Sequence, residues 1–214
     1  MKGMRQGILT LVLLLLLAAM LAGCGGGMTA EDAKEYVQAV LDASYKGEFD
    51  SYMELTDSTE EEARSMYEGN VDATMATVGF EEMGISEDMQ ADYRQLFLDL
   101  AKQAKYTLGE ATEIENGYEI EVTIEPFIGM NDLENELTNI LMQDLAAAAE
   151  IPTEEELNQM TMQTLYDLLS EKVASPEYGE AQTMTVRVTV DSDNVYSIPE
   201  EDTTALDSAM FPSA

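Results

Sequence analysis

The sequence predicts an α+β fold in which helices pack on one face of a curved antiparallel sheet built from two hairpins. Over most of the chain, apolar residues recur every three or four positions, which is the spacing of amphipathic helices. At 106–124 and 184–198 they alternate instead with polar residues, as in strands with one buried face. The resulting order is three helices, a hairpin, two helices and a second hairpin, which fits a single layer of helices against one sheet.

The first part of the chain predicts three helices. The first begins at Thr29, with acidic residues in its first turn, and ends at Lys46-Gly47. A short turn of helix follows. Ser58 is the predicted cap of the second helix and Ser86 that of the third. The third helix has the clearest apolar stripe of this region, formed by Met89, Tyr93, Leu96, Phe97, Leu100 and Ala104.

The two hairpins are separated by a second group of helices. The first hairpin turns at Glu115-Asn116-Gly117, because Asn-Gly tolerates positive φ, and Pro126 ends its second strand. A helix pair is predicted over 132–174. Its first helix carries the stripe Leu133, Leu137, Ile140, Leu141, Leu145 and Ala148, and its second starts at the capping box Thr153-Glu154-Glu155-Glu156.

Cys24 is the single cysteine of the chain, and it ends the run Leu21-Ala22-Gly23-Cys24. Lys2 and Arg5 precede an apolar stretch of about 14 residues, which is shorter than the ~20 that a membrane-spanning helix needs. The pattern resembles the lipobox of bacterial lipoproteins. The resemblance implies that Cys24 receives a diacylglyceryl group and becomes the first residue after cleavage. The alternatives are an uncleaved anchor and an ordinary signal peptide with an incidental cysteine.

This interpretation divides the chain into four parts. We expect a signal peptide over 1–23, the lipidated cysteine with a glycine spacer over 24–28, one α+β domain over 29–199 and a C-terminal tail over 200–214. The element order also resembles the cystatin-like and nuclear-transport-factor-like α+β folds, and small Gram-positive lipoproteins of uncharacterised function are similar in organisation. The helix pair at 132–174 departs from a minimal member of those folds. It leaves the strand order open, and part of it is a candidate cap or dimer surface.

Composition excludes several functions. The chain has 43 acidic and 10 basic residues, a formal net charge of −33, so it repels nucleic acids and anionic lipid head groups. It has no histidine, which is the usual proton shuttle near neutral pH and the commonest metal ligand. Once Cys24 is lipidated, no thiol is left for disulfides or thiolate catalysis. We therefore predict no catalytic residue, no cofactor and no metal site, and Cys24 is the one assigned site.

Four weaker candidates remain. The turn Asp191-Ser192-Asp193-Asn194 has oxygen ligands at alternate positions, as calcium loops do, but it lacks the expected glycine and distal glutamate. It is interpreted as a hairpin turn. Asp144 is the acid nearest to an apolar helix face, and the acids at 57–62 are interpreted as the start of a helix. The chain's methionines and tyrosines either fill core gaps or line a pliable apolar pocket.

The sequence thus favours a membrane-anchored extracytoplasmic lipoprotein whose domain binds a protein partner or a small apolar ligand without catalysis. The alternative is a pocketed α+β enzyme that uses a buried Asp or Glu with a Tyr for proton transfer, chemistry that ketosteroid-isomerase-like folds perform. A third possibility is the receptor lipoprotein of an importer, although such receptors need two lobes around a hinge and this domain is short for that.

Overall fold

The computed structural model describes residues 21–22, 27–78, 80, 83–148 and 150–212, and within them the fold is α+β as predicted. The helices are α1 (Ala30–Leu41), α2 (Asp50–Thr56), α3 (Glu60–Val78), α4 (Glu87–Ala101), α5 (Leu133–Ala147), α6 (Glu154–Ala174) and α7 (Glu200–Met210). The strands are β1 (Leu21–Ala22), β2 (Lys105–Ile114), β3 (Gly117–Glu125), β4 (Gln182–Val190) and β5 (Val195–Ser197).

The strands form one open antiparallel sheet in the order β1-β5-β4-β3-β2. Its body consists of the two predicted hairpins, β2–β3 and β4–β5. The two-residue strand β1 lies at the edge, within the segment predicted as a signal peptide. A bulge between Leu108 and Ala111 shifts the register of β2 by one residue, which keeps the alternation of its side chains in phase with β3.

The sheet has one buried face, as its alternation predicts. Ile120, Val122 and Ile124 of β3 are fully buried, whereas Glu121 and Glu125 between and beside them are exposed. Helix α1 packs over β2 and β3 and contributes much of the core above them. Each Å² of apolar surface buried on this face stabilises the fold by about 25 cal/mol. This burial is the main stabilising contribution to the sheet half of the molecule.

Helix starts are capped largely as the sequence predicts. Thr29 and Thr153 each form a reciprocal capping box, and the Ser86 hydroxyl accepts from the Met89 amide at 3.3 Å. The predicted cap at Ser58 is wrong, because α3 is capped one residue later by Thr59. The Thr59 hydroxyl accepts from the Glu62 amide at 3.3 Å, while the hydroxyl of Ser58 lies 2.6 Å from that of Thr56.

A second apolar core lies outside the sheet. It is built from the end of α3 and from α4, α5 and α6, with α5 packed on α6 and α6 on α4. Its buried members are Val71, Phe80, Ile85, Tyr93, Leu96, Phe97, Ala101, Leu137, Met162, Leu165, Leu168 and Leu169. Leu98, Met130 and Val173 contact both cores. The helix pair at 132–174 therefore belongs to a helical half that continues the domain beyond the sheet.

The segment predicted as a C-terminal tail is largely a helix that completes the sheet core. In α7, Leu206 is fully buried and Met210 nearly so. The Met210 carbonyl accepts from the Phe127 amide at 2.7 Å, which ties the end of α7 to the chain just after β3. The sequence did not indicate this role, because two of the buried positions of α7 are the acids Asp202 and Asp207.

Candidate functional site

A π-helical turn over Asp42–Lys46 joins the end of α1 to α2 and carries two groups of polar contacts, one around the half-buried Asp42 and one between the buried Tyr45 and Asp207. Such turns insert an extra residue into a helix and are frequent at functional sites. Gly47 ends the turn in the left-handed region, with φ at 69°. A Cβ on Gly47 would lie 3.3 Å from Cε1 of Tyr67, a tight contact, so both the backbone conformation and the packing favour glycine here.

Asp42 is the first residue of this turn, and its ionised carboxylate accepts hydrogen bonds from three donors. It accepts from the Tyr106 hydroxyl at 2.6 Å, from Lys46 Nζ at 2.6 Å and from Gln38 Nε2 at 2.7 Å. Burial acts to raise the pKa of Asp42, but the hydrogen bonds from Lys46, Tyr106 and Gln38 together outweigh it, and the pKa is lowered. The network fixes the turn against β2.

Tyr45, three residues later, is fully buried, and its hydroxyl donates to Oδ1 of Asp207 on α7. Asp207 is 2% exposed, and its Oδ2 has no hydrogen-bond partner among the described residues. Burial raises the pKa of Asp207 to about 7, against the lowering effect of the hydrogen bond from Tyr45. Burial, and then the nearby charge of Asp207, raise the pKa of Tyr45 well above its usual range.

A buried carboxyl that titrates near neutrality beside a tyrosine has the composition of a general acid–base pair. Its surroundings are those of a packed core. The Tyr45 ring lies 6.1 Å from the ring of Tyr106 and 6.2 Å from that of Phe211, and Leu206 closes the same region. A substrate could reach Asp207 only after α7 moved away from the sheet.

The start of α7 is fixed to β4 by an ion pair. Arg187 donates to Oδ2 of Asp202 from its backbone amide at 2.8 Å and from Nε at 2.9 Å, and Nη2 donates to Oδ1 at 2.7 Å. Arg187 also pairs with the exposed Glu201, and these hydrogen bonds, first that of Asp202, raise the pKa of its guanidinium. The backbone amide is available because the pairing of β5 with β4 covers only Thr189 and Val190.

The chain after the predicted lipidation site is bound to the turn end of the sheet. Met28 accepts from the Tyr118 hydroxyl through its carbonyl at 2.5 Å, and its amide donates to the Tyr196 hydroxyl at 3.3 Å. Tyr118 is the second residue of β3 and Tyr196 lies in β5, so both are close to the hairpin turns. Cys24 itself lies outside the described residues. It precedes Met28 by four residues, a separation of at most about 14 Å.

The weaker candidates from the sequence lie apart from this network. Asp144 is exposed on α5. Oδ1 of Asp191 accepts from the amides of Asp193 at 2.8 Å and Val195 at 2.9 Å, and Asn194 has φ at 58°, so this segment is a hairpin turn. Within the described ranges, no group of three or more acidic or cysteine side chains is placed to hold a metal ion.

An apolar surface is exposed where α5 meets α6. Ile151 in the connecting segment is 97% exposed, Met142 on α5 is 64% exposed and Leu145 is 40% exposed. The sequence predicts one continuous apolar stripe that includes Leu145, and on α5 the structure buries only Leu137 of this stripe. Among the methionines, Met89 and Met184 are half-buried against the two cores, whereas Met66 is 37% exposed.

Sequence reasoning did not single out Tyr45, Asp42, Asp207 or Tyr106. Tyr45 follows Leu41 by four residues and so continues the apolar face of α1, which was one available signal. Asp207 follows Leu206 in a helix with apolar residues at helical spacing. An acid at such a position was a second signal, because it indicates a buried carboxyl. Neither signal identifies the partner, because the two residues are 162 positions apart.

Comparison with known proteins shows similarity in fold. No protein-family model matches the sequence, and no curated protein matches it. The crystal structure of "a putative lipoprotein (ycdA)" from Bacillus subtilis superposes with a TM-score of 0.55 at 14% sequence identity. The match covers 84% of this chain and 56% of that one, so this chain spans little more than half of that protein's length. None of the helices in the described part of the chain combines the length and the hydropathy of a membrane-spanning segment.

Proposed function

We propose that this protein is a lipoprotein held on the extracytoplasmic face of the cell membrane through Cys24, and that its domain binds a partner or ligand without catalysis. The observation that carries the proposal is Leu21-Ala22-Gly23-Cys24 at the end of a short apolar stretch behind two basic residues. The similarity in fold to a chain described as a putative lipoprotein supports it. Two acyl chains hold a protein on a membrane where one does not, so no spanning helix is needed.

The position of Met28 supports the same proposal. A domain anchored by its first residue must have that residue at its surface, with a short path to the bilayer. Met28 is bound at the turn end of the sheet by Tyr118 and Tyr196, and Gly25-Gly26-Gly27 stands between Cys24 and this point. Cleavage before Cys24 would also remove β1, so the mature sheet would have four strands with β5 at its edge.

The proposal of a binding role depends on the contrast between the core and the surface. The Asp207–Tyr45 pair is enclosed by aromatic and aliphatic side chains, whereas the end of α5 exposes apolar side chains to solvent. Exposed apolar side chains grouped on one region of a surface are typical of interaction sites.

Anchoring is tested by replacing Cys24. In bacterial cells that express the full chain, Cys24→Ser should move the protein from the membrane fraction to the soluble or secreted fraction. It should also remove the mass of the diacylglyceryl group from the N-terminal peptide. Gly27→Ser is the matched control, because an added Cβ there meets only the Tyr196 hydroxyl at 4.0 Å. Equal membrane retention of the two variants would contradict the proposal.

A second candidate function is favoured by the Asp207–Tyr45 pair itself. The Asp207 carboxyl, hydrogen-bonded to Tyr45, could take a proton from the carbon next to a carbonyl group if a movement of α7 admitted a substrate. The test is deuterium exchange at the α-carbon of cyclohexanone in D2O, followed by NMR. A rate above that of buffer which is lost in both Asp207→Asn and Tyr45→Phe would favour the enzyme. Equal exchange rates for the parent and both variants would contradict the enzyme hypothesis.

We also propose a distant relation of the sheet half to the cystatin-like and nuclear-transport-factor-like folds. The support is the meander β2-β3-β4-β5 with α1 packed across β2 and β3. Superposition of residues 27–212 on members of those folds should give TM-scores above 0.5. Lower values throughout would restrict the relation to the fold class.

A further inference from the structure

The end of the helix pair exposes an apolar surface that the fold does not cover. Residues 142–148 of α5 and its cap are all exposed, although the apolar periodicity of the helix continues through them. Ile151 follows in the connection and is almost fully exposed. We call residues 142–148 and 150–155 the α5–α6 tip. Among the described elements, α5 makes its most extensive contact with α6, and its first half joins the helical core through Leu137.

The charged residues within the α5–α6 tip all have one sign. Asp144, Glu150, Glu154 and Glu155 are exposed in the α5–α6 tip. The sequence has no lysine or arginine anywhere over 106–171, which includes the whole of α5 and most of α6. An occupant of this surface must therefore combine an apolar centre with a basic margin, since like charges would oppose an acidic one.

The α5–α6 tip is also remote from the proposed anchor. Met28 is bound at the turn end of the sheet, whereas the helix pair leaves from the other end, where Phe127 pairs with Tyr178. The nine residues of β3 separate these two ends by about 30 Å. Helix α6, with 21 residues, extends about 31 Å from its junction with β4 to the tip.

Two other occupants fit these observations less well. A second copy of the chain would bring two acidic tips together, with no basic side chain in either to compensate. A bilayer surface is commonly anionic and would repel the same carboxylates. A helix from another protein could instead lie against the exposed end of α5, with basic side chains beside these carboxylates.

We propose that the α5–α6 tip docks a basic amphipathic helix of a partner protein, with its apolar face on Met142, Leu145 and Ile151 and its cations beside the surrounding carboxylates. This inference rests on the proposed role as a partner-binding lipoprotein and specifies the binding surface. It has the form of known helix recognition, in which apolar anchors at helical spacing supply affinity and the charged margin selects the partner.

The test uses the full chain carrying Cys24→Ser, so that docking is measured separately from anchoring. The probe is a fluorescein-labelled 18-residue peptide of leucine and lysine arranged as an amphipathic helix, and binding is followed by fluorescence anisotropy. A peptide of the same composition, reordered so that no apolar face forms, should bind at least about tenfold more weakly (about 1.4 kcal/mol). Circular dichroism confirms that each protein variant is folded.

The protein variants locate the site. Leu145→Ser combined with Ile151→Ser should weaken binding of the amphipathic peptide by about tenfold or more, because it removes exposed apolar area without changing charge. Met66→Ser is the matched control, an exposed apolar residue on α3 outside the tip, and should bind as the parent does. Asp144→Asn with Glu150→Gln should reduce affinity at low salt and flatten its salt dependence.

Four outcomes would overturn the inference. Two are equal binding of the ordered and reordered peptides, and equal binding by the Leu145/Ile151 variant and the Met66 variant. A third is a dimer, detected by sedimentation, that is lost in the Leu145/Ile151 variant, because it would assign the surface to a second copy. The fourth is flotation of the Cys24→Ser chain with phosphatidylcholine vesicles that is lost in the same variant. Each of these results leaves the anchoring test with Cys24 unaffected.

Discussion

Replacing Asp207 with asparagine should change how the stability of the protein depends on pH. In the folded protein, burial raises the pKa of Asp207 from an ordinary 3.8 to about 7. Between these values the folded chain retains a proton at Asp207 that the unfolded chain has lost. Unfolding then releases a proton, so the free energy of unfolding falls as pH rises, by about 1.4 kcal/mol per pH unit for this group.

The size of the effect follows from the shift. The stabilisation is fully present below about pH 4, is lost as pH rises through about 7, and amounts to about 4 kcal/mol in all. Asparagine cannot titrate. At pH 4 it should destabilise the protein by ~1–3 kcal/mol, because its amide occupies the position where Oδ2 already lacks a partner. At pH 8 the order should reverse, because the variant no longer buries a charged carboxylate.

The assay is urea unfolding followed by circular dichroism at intervals from pH 4 to pH 8, with Cys24→Ser in every protein so that no lipid is present. Other acidic groups are shared by the parent and the variant, so their contributions cancel in the difference. That difference should move by about 4 kcal/mol in favour of Asp207→Asn across the range. A difference that does not change with pH would refute the assignment of a buried, neutral carboxyl at Asp207.

Tyr45→Phe is the companion variant. The hydrogen bond from Tyr45 lowers the pKa of Asp207, so its loss should raise that pKa further. The decline in the free energy of unfolding should then continue to a higher pH than in the parent. A decline that ends at a lower pH would contradict the role given to the tyrosine hydroxyl.

Two further predictions concern the elements that position Tyr45 and Asp207, which are the start of α7 and the end of the π-helical turn. Asp202→Ala should lower the free energy of unfolding by ~1–3 kcal/mol, because three donors of Arg187 lose their acceptor. Glu201→Ala, which removes the exposed partner of the same arginine, should cost less in the same urea titration, and equal losses would count against the buried pair. Gly47→Ala should destabilise by ~1–2 kcal/mol because φ is 69° there. Gly69→Ala, within α3 and with no atom within 4 Å of the added Cβ, should stabilise by ~0.5–1 kcal/mol, so opposite signs are expected in thermal unfolding.

The local pattern of apolar and capping residues was sufficient to predict most helices and strands of the fold. The alternation around Ile120 predicts both the strand and its buried face, since neighbouring side chains on a strand point to opposite sides. Thr29, Ser86 and Thr153 predict three helix starts, because each cap bonds a backbone amide only a few residues away. These interactions are short in sequence and therefore visible in it.

The interactions that the sequence did not reveal are long-range. Tyr45 and Asp207 meet through the packing of α7, and nothing near either residue specifies the other. For α5, the apolar periodicity correctly identified a helix with an apolar side but did not show whether another element covers it. Leu137 is buried and Leu145 is 40% exposed on the same stripe. Periodicity gives the direction of an apolar face, whereas coverage depends on tertiary structure.

The double hydrogen bond at Met28 has a mechanical consequence for a protein tethered by Cys24. Both the amide and the carbonyl of Met28 are hydrogen-bonded to tyrosines on the sheet, so the linker between a lipid on Cys24 and the folded domain consists only of the few residues before Met28. A linker this short would keep the folded domain close to the bilayer. Under the proposed anchoring, the distance that the protein extends from the membrane is then set by its folded body, from the hairpin turns to the start of α6, and not by a linker.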